Sequence, residues 1–201
     1  MDAAVPGSVE HGWCEGPVGL RPVTGSTIQT ASGRYVDPLN LHPDDVSVED
    51  IAHALAHQCR YSGHTSVFHS VAEHSVRTVD IVPAQDRLWA LLHDATEAYL
   101  VDLPRPIKYA PGLEEYRKAE RRAMLVICER FGLPPEEPDS VRHADLVLLA
   151  TERRDLMAEQ DSRWLALDLI EPLPARIQTY VQPKTQFLST YARLTAAACA
   201  A

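Results

Sequence analysis

The sequence predicts an all-α bundle with a small β element at its front. Three observations predict it. Apolar residues recur at three- and four-residue spacing in successive segments from Ile51 to the C-terminus, the signature of helices with one buried face. Those segments are punctuated by breakers at Gly63, Pro83, Pro104, Pro106 and Gly132, and by a stiff loop holding Pro134, Pro135 and Pro138. The clearest strand-like stretch, TIQTASGRYVDP, reads as two short strands around Ser32-Gly33, a hairpin.

Taken in order, residues 1–45 form an irregular extension with the hairpin, and residues 46–201 form the bundle. Asp44 and Asp45 precede VSVEDIAHALAHQCR, where Ile51, Leu55 and Cys59 share a face, so a helix is expected to end near Arg60. YSGHT is a loop. SVFHSVAEHSVRTVDIV is the next helix, stopped by Pro83, and AQDRLWALLHDATEAYL is a third, running unbroken to the prolines at 104 and 106. GLEEYRKAERRAMLVICERFG is charged on one face and has Gly132 placed as its C-terminal cap. Asp139 or Ser140 is expected to cap VRHADLVLLATERRDLMAEQ. A poorly periodic stretch follows, and TQFLSTYARLTAAACA closes the chain as a helix.

Composition narrows the function classes. The chain has 201 residues, enough for one domain with a sizeable core. A net charge of −9 without a basic stretch argues against polymeric nucleic acid as a partner, while leaving a small anionic ligand open. No apolar run is long enough to span a bilayer, and the first residues carry neither a basic nor an apolar targeting segment, so the cytoplasm is the expected compartment and a membrane partner is not expected. Cys14, Cys59, Cys128 and Cys199 are scattered, and are expected to be reduced and structural.

Several polar residues do not fit a plain core. LLHDATEAYLVDLPRPIK, residues 91–108, places His93 and Asp94 side by side, with Glu97 next to the same face and Asp102 just before the proline-broken end. His74 lies mid-helix among apolar and small residues, and Asp145 lies mid-helix beside Val141, Ala144, Leu148 and Leu149. Neither stands at a cap, where a polar side chain would find backbone partners. A mid-helix carboxylate on an apolar face needs a cation or a donor. Together His74, His93, Asp94 and Asp145 make a two-histidine, two-carboxylate set over three helices, suited to a divalent transition metal such as Co, Mn, Zn, Fe or Ni with positions left open for water and substrate.

His74, His93-Asp94 and Asp145 in this order, carried by SVAEHS, HDATEAYLVDLPRPIK and ADLVLLATERRDLM, resemble the signature of the HD-domain metal-dependent phosphohydrolases. Within that superfamily the sequence is similar to the YfbR-type deoxynucleotidases and the phage dATP triphosphohydrolases over roughly residues 49–158. The resemblance implies an HD-domain helical bundle, with those four residues as metal ligands. It implies Glu97 and Asp102 as an acidic pair near the attacking water, Asp102 being favoured for the leaving-group proton. It implies phosphate contacts from Arg60 and Lys108. Tyr61 stands where those nucleotidases have a tryptophan that crowds the sugar, which makes selectivity for deoxyribose less secure. His64 lies on the same loop and is carried as a phosphate contact. His69 is read as packing, and His53, His57 and His143 as structural.

The function so implied is hydrolysis of a deoxynucleotide, either a dNMP to deoxynucleoside and phosphate or a dNTP such as dATP to deoxynucleoside and triphosphate. The partner would be a small-molecule nucleotide, and self-association is expected because such proteins oligomerise. Two other readings stand beside it. One is an alarmone-type nucleotide hydrolase, disfavoured because ATEAY replaces the expected Glu-Asp after the His-Asp pair. The other is a catalytically silent, metal-bound nucleotide-sensing module, disfavoured by the presence of both Glu97 and Asp102.

Overall fold

A computed structural model describes residues 26–158 and 170–198. Among these, the fold is all-α with a two-stranded antiparallel hairpin in front, as the periodicities predict. The hairpin strands are β1 (Ile28–Gln29) and β2 (Tyr35–Val36), and Ile28 is registered on Val36. Gly33 turns the chain at φ 86°, a conformation that glycine adopts without strain. Ser32 fastens the turn to the bundle, its N–H and hydroxyl each donating to the Asp50 carboxylate at 2.7 Å.

Helix α1 (Val48–His57) starts at Ser47, whose hydroxyl accepts the Asp50 N–H at 3.4 Å, and buries Ile51, Ala52, Leu55 and Ala56. It ends at Gln58, before the expected Arg60, because residues 58–71 fold back on themselves. Arg60 N–H donates to His69 O at 2.9 Å and Val71 N–H to Gln58 O at 3.0 Å, closing the neck of a loop. Helix α2 (Val71–Val79) therefore begins only at Ser70, which caps it by accepting the Glu73 N–H at 3.1 Å.

The third expected helix is broken. It divides into α3 (Arg87–Leu92) and α4 (Glu97–Leu100), joined by a tightened turn with i→i+3 bonds from Ala95 N–H to Leu92 O at 2.9 Å and from Glu97 N–H to Asp94 O at 3.0 Å. His93 Nδ1 takes the Ala90 carbonyl at 2.7 Å, competing for an acceptor that a continuing α-helix would give to its own backbone. The short helix α5 (Arg105–Lys108) follows the prolines. Helix α6 (Glu114–Phe131) ends at Gly132 in the left-handed region, φ 67°, with Leu133 N–H returning to Cys128 O at 2.8 Å, so the glycine cap is present where expected. Helix α7 (Asp139–Leu156) has Pro138 at its cap position, so neither Asp139 nor Ser140 serves as the cap: the fixed φ of proline starts the helix instead. Helix α8 is Pro183–Ala198.

The core runs through these helices: Ile51, Leu55, Val71, Leu91, Leu92, Ile127, Val141, Leu148 and Phe187 are all buried. Phe187 of α8 packs at its centre, and α8 lies against α1, α2 and α3. Burial of this apolar face, far more than helix propensity, holds segments as short as α3 and α4 in place. Among the described residues, no helix is long and apolar enough to cross a membrane.

Candidate metal centre

Three elements converge at one point. His74 projects from the middle of α2, His93 from the end of α3 and Asp145 from α7, and one ligand atom from each lies within 4.8 Å of the others. The His74 and His93 rings are 5.2 Å apart between centroids. Asp145 Oδ1 is 3.1 Å from His74 Nε2, and Asp94 Oδ2 is 3.2 Å from His93 Nε2 and 3.9 Å from His74 Nε2. The break after Leu92 matters here, because the tightened turn sets where Asp94 and Glu97 stand relative to His93.

The chemistry of the donor set fits a cation. His74 Nδ1 lies 2.7 Å from Glu152 Oε1 and His93 Nδ1 lies 2.7 Å from Ala90 O. Both partners only accept, so both Nδ1 atoms carry protons. The two Nε2 atoms are then the free ligand positions, and both are buried without a hydrogen bond. Two imidazole nitrogens and a carboxylate oxygen suit a divalent transition metal. The field points the same way. Burial disfavours a charged His93, yet Asp94 and Asp145 outweigh it and push the imidazole up to about 9. Asp94 is half-buried, and His93, His74 and Arg60 overcome that desolvation and hold its carboxyl well below the usual range. A metal ion and a proton would compete for the same lone pair.

The sequence-derived residues around the cluster fall into two groups. Arg60 stands against it: its Nε–H donates to Glu152 Oε2 at 3.0 Å and its Nη1 reaches Asp94 Oδ2 at 3.5 Å. Glu97 and Asp102 lie close enough to the cluster to feel its charges. Burial and the charges of Asp94 and Asp102 raise the Glu97 carboxyl well above its ordinary value, and its Oε2 is buried without a partner. Asp102 is raised as well, mainly by burial. Lys108 lines a cleft of about 480 Å³ together with His93, Asp94, Glu97, Trp89 and Met124, and is ion-paired there with Glu120. That volume lies within the range of small-molecule sites. Tyr61 belongs to the network behind the cluster, donating its hydroxyl to Glu152 Oε2 at 3.0 Å. His64 sits exposed at the end of the turn and is not drawn into the cluster. A larger cavity of about 680 Å³, between Arg77 and residues 175–182, touches none of these groups.

Three residues escape the sequence reading. Glu152 is wholly buried on α7, and its carboxylate meets Arg60, Tyr61, His69 and His74. Its signal was the one that drew notice to Asp145, since it lies two helical turns further along the same helix. His69 is also buried, and its Nε2 bonds to Glu152 Oε1 at 3.0 Å, so it is a polar member of the site and more than packing. Gln58 links the two acids, its Nε2 donating to Glu97 O at 2.9 Å and its Oε1 accepting the Asp102 N–H at 3.2 Å. No local pattern announces that role. His53 and His57 are stacked on each other at 4.2 Å, away from the cluster.

Fold and cluster together define an all-α protein with a partly buried histidine–carboxylate centre that could hold a metal ion. No family model matches the sequence. The chain is 43% identical over 150 residues to a protein of Escherichia coli K12 named "Uncharacterized protein YfdR", a match covering 75% of this chain and 82% of that one. It belongs to the same family as YfdR. It is also 38% identical over 122 residues to an uncharacterized protein of Rhodobacter capsulatus, covering 56% of this chain and 62% of the relative. A 5'-deoxynucleotidase of Yersinia pseudotuberculosis is 31% identical over 112 residues, covering 52% of this chain and 54% of the enzyme. The matched region thus spans about half the length of that nucleotidase.

Proposed function

We propose that the protein is an HD-domain phosphohydrolase that cleaves the bond between a deoxynucleoside 5'-oxygen and the adjoining phosphorus. The observation that carries this reading is the cluster of His74, His93 and Asp145, whose two buried Nε2 atoms lack hydrogen bonds, beside the unpartnered Glu97 Oε2. The distant relative named a 5'-deoxynucleotidase supports the substrate class.

His74, His93, Asp94 and Asp145 would hold the metal, one of Co, Mn, Zn, Fe or Ni. When bound, such an ion polarises a phosphoryl oxygen and acidifies water. The remaining steps belong to the chain. Arg60 and Lys108 neutralise the phosphate oxygens and hold phosphorus in line, since phosphoryl transfer depends mainly on positioning and charge. Glu97 orients the attacking water and takes its proton. Its burial beside Asp94 and Asp102 makes it a stronger base than an exposed carboxylate. Asp102, whose carboxyl burial raises, delivers a proton to the departing 5'-oxygen. Water adds to phosphorus, the phosphorus–oxygen bond breaks, and deoxynucleoside leaves with phosphate or triphosphate.

The test is product analysis after incubating Mn-, Co- or Zn-loaded protein with each dNMP and each dNTP. Free phosphate from monophosphates establishes a nucleotidase, and intact triphosphate from a dNTP establishes a triphosphohydrolase. No product from any of them, with metal bound, sinks the reading and favours an alarmone hydrolase or a silent sensor. Asp94→Ala should lose both metal and turnover, and an active, metal-replete variant would refute the ligand set.

A further inference from the structure

We propose that Glu152 is the positioning residue of the centre: one buried carboxylate that both fixes the His74 ring for metal and aims the Arg60 guanidinium at phosphate. The proposal deepens the functional reading above and rests on it.

The geometry divides the carboxylate between two tasks. Oε1 accepts from His74 Nδ1 at 2.7 Å and from His69 Nε2 at 3.0 Å. Oε2 accepts from Arg60 Nε at 3.0 Å and from Tyr61 OH at 3.0 Å. The partners come from far along the chain, 78 to 92 residues before Glu152. The side chain is wholly buried, so no water replaces a lost partner. An acceptor on Nδ1 leaves Nε2 as the only ligand atom of His74, and the second partner of a metal-ligating histidine governs ring orientation and affinity. On the other side, the Nε contact holds the Arg60 fork at a set angle while Nη1 lies 3.5 Å from Asp94 Oδ2. One rigid group therefore sets the metal position and the guanidinium position together, which a mechanism built on positioning requires.

The local backbone agrees with this role. Tyr61 and Ser62 both adopt positive φ, 55° and 53°, a strained state for residues with a Cβ. The Tyr61 hydroxyl on Glu152 helps hold that turn, and the turn in turn presents Arg60.

Glu152→Gln is the test, because glutamine keeps the shape but puts a donor where Glu152 has an acceptor, facing either Arg60 and Tyr61 or the two histidines. With Zn²⁺ alone as probe, chelator competition should show affinity weakened about 10- to 100-fold. At saturating Zn²⁺, inorganic phosphate should bind about tenfold more weakly, the value of one hydrogen bond to a charged group. A readout on the wild-type chain stands apart from any folding defect. In the Zn²⁺-loaded, ¹⁵N-histidine-labelled protein, His74 should carry its proton on Nδ1, hydrogen-bonded, with Nε2 as ligand. Coordination through Nδ1, or Glu152→Gln binding Zn²⁺ as tightly as wild type, overturns the proposal. A wild-type chain that takes up no Zn²⁺, Co²⁺ or Mn²⁺ overturns instead the metal-dependent reading beneath it.

Discussion

Replacing Arg60 by alanine should destabilise the fold far more than loss of a surface ion pair. The Arg60 side chain is 11% exposed and that of Glu152 is 0% exposed, and they meet at 3.0 Å. An exposed pair would be worth at most about 1 kcal/mol. Removing one member of a buried pair costs about 3–5 kcal/mol, because the other charge stays in a poorly solvating interior. With a urea slope of about 2 kcal/mol per molar, the midpoint should fall by about 1.5–2.5 M. The effect should depend on pH with a definite sign. In the wild-type chain Arg60, His74 and His69 overcome burial and hold Glu152 well below its ordinary value. A depressed carboxylate stabilises above the unfolded value of about 4.3, and that stability is lost as pH falls through the folded value. Without Arg60 that lowering is smaller, so the variant gains less stability as pH rises past the unfolded value. The gap between wild type and Arg60→Ala should therefore widen between about pH 4 and pH 7. Urea titrations followed by circular dichroism at both ends of that range decide it. A midpoint shift below about 0.5 M, equal at both pH values, would refute the reasoning.

Other expectations follow from the same geometry. Phe187→Ala removes a fully buried ring at the centre of the bundle and should cost about 3–5 kcal/mol, read as a melting point lower by about 6–20 °C. Val101→Gly should leave stability unchanged or raise it by up to about 2 kcal/mol: Val101 holds φ 64° and ψ 152°, a strain of about 1–3 kcal/mol, and is 51% exposed, so little burial is lost; a clear drop in the urea midpoint would contradict that. Asp155→Asn should loosen residues 176–177, which the Asp155 carboxylate holds through Ile177 N–H at 2.9 Å and Arg176 at 3.0 Å, seen as faster hydrogen exchange there. The Arg154 hydrogen bond lowers the Asp155 carboxyl, so its contribution is present above about pH 3.9 and disappears on further acidification. Chelation should lower the melting point of metal-loaded wild type, since an ion bound only by the folded state stabilises it, and should leave Asp145→Asn nearly unmoved.

Much of the fold is written in local pattern. Glycine placement announces the hairpin turn at Ser32-Gly33 and the cap at Gly132, and the period of the apolar residues announces the helices that became α1, α2, α6, α7 and α8, because burying one face and satisfying the backbone are local demands. The same reading noticed His74, His93 and Asp145 as polar groups on apolar faces, and these three are the residues that the structure brings within reach of one another. It failed where a side-chain bond or a closed loop overrides the helical preference. The helix expected from Ala84 to Leu100 breaks after Leu92, because a side chain competes for a backbone carbonyl, and the helix expected from Ser66 starts at Val71, because a bridge between Cys59 and Ser70 closes the loop before it.

Residue identity and periodicity thus determined by themselves that the chain is an all-α bundle and which of its polar residues were out of place. Only the tertiary structure decided what stands around them. Glu152, His69 and Gln58 owe their roles to contacts across 39 to 92 residues of chain, and Lys108 is engaged by Glu120 in a way its own neighbours in sequence do not reveal. The physical reason is that hydrophobic burial has a period and can be read along one helix, whereas a hydrogen bond between buried side chains depends on distance and direction, which exist only once the helices have packed.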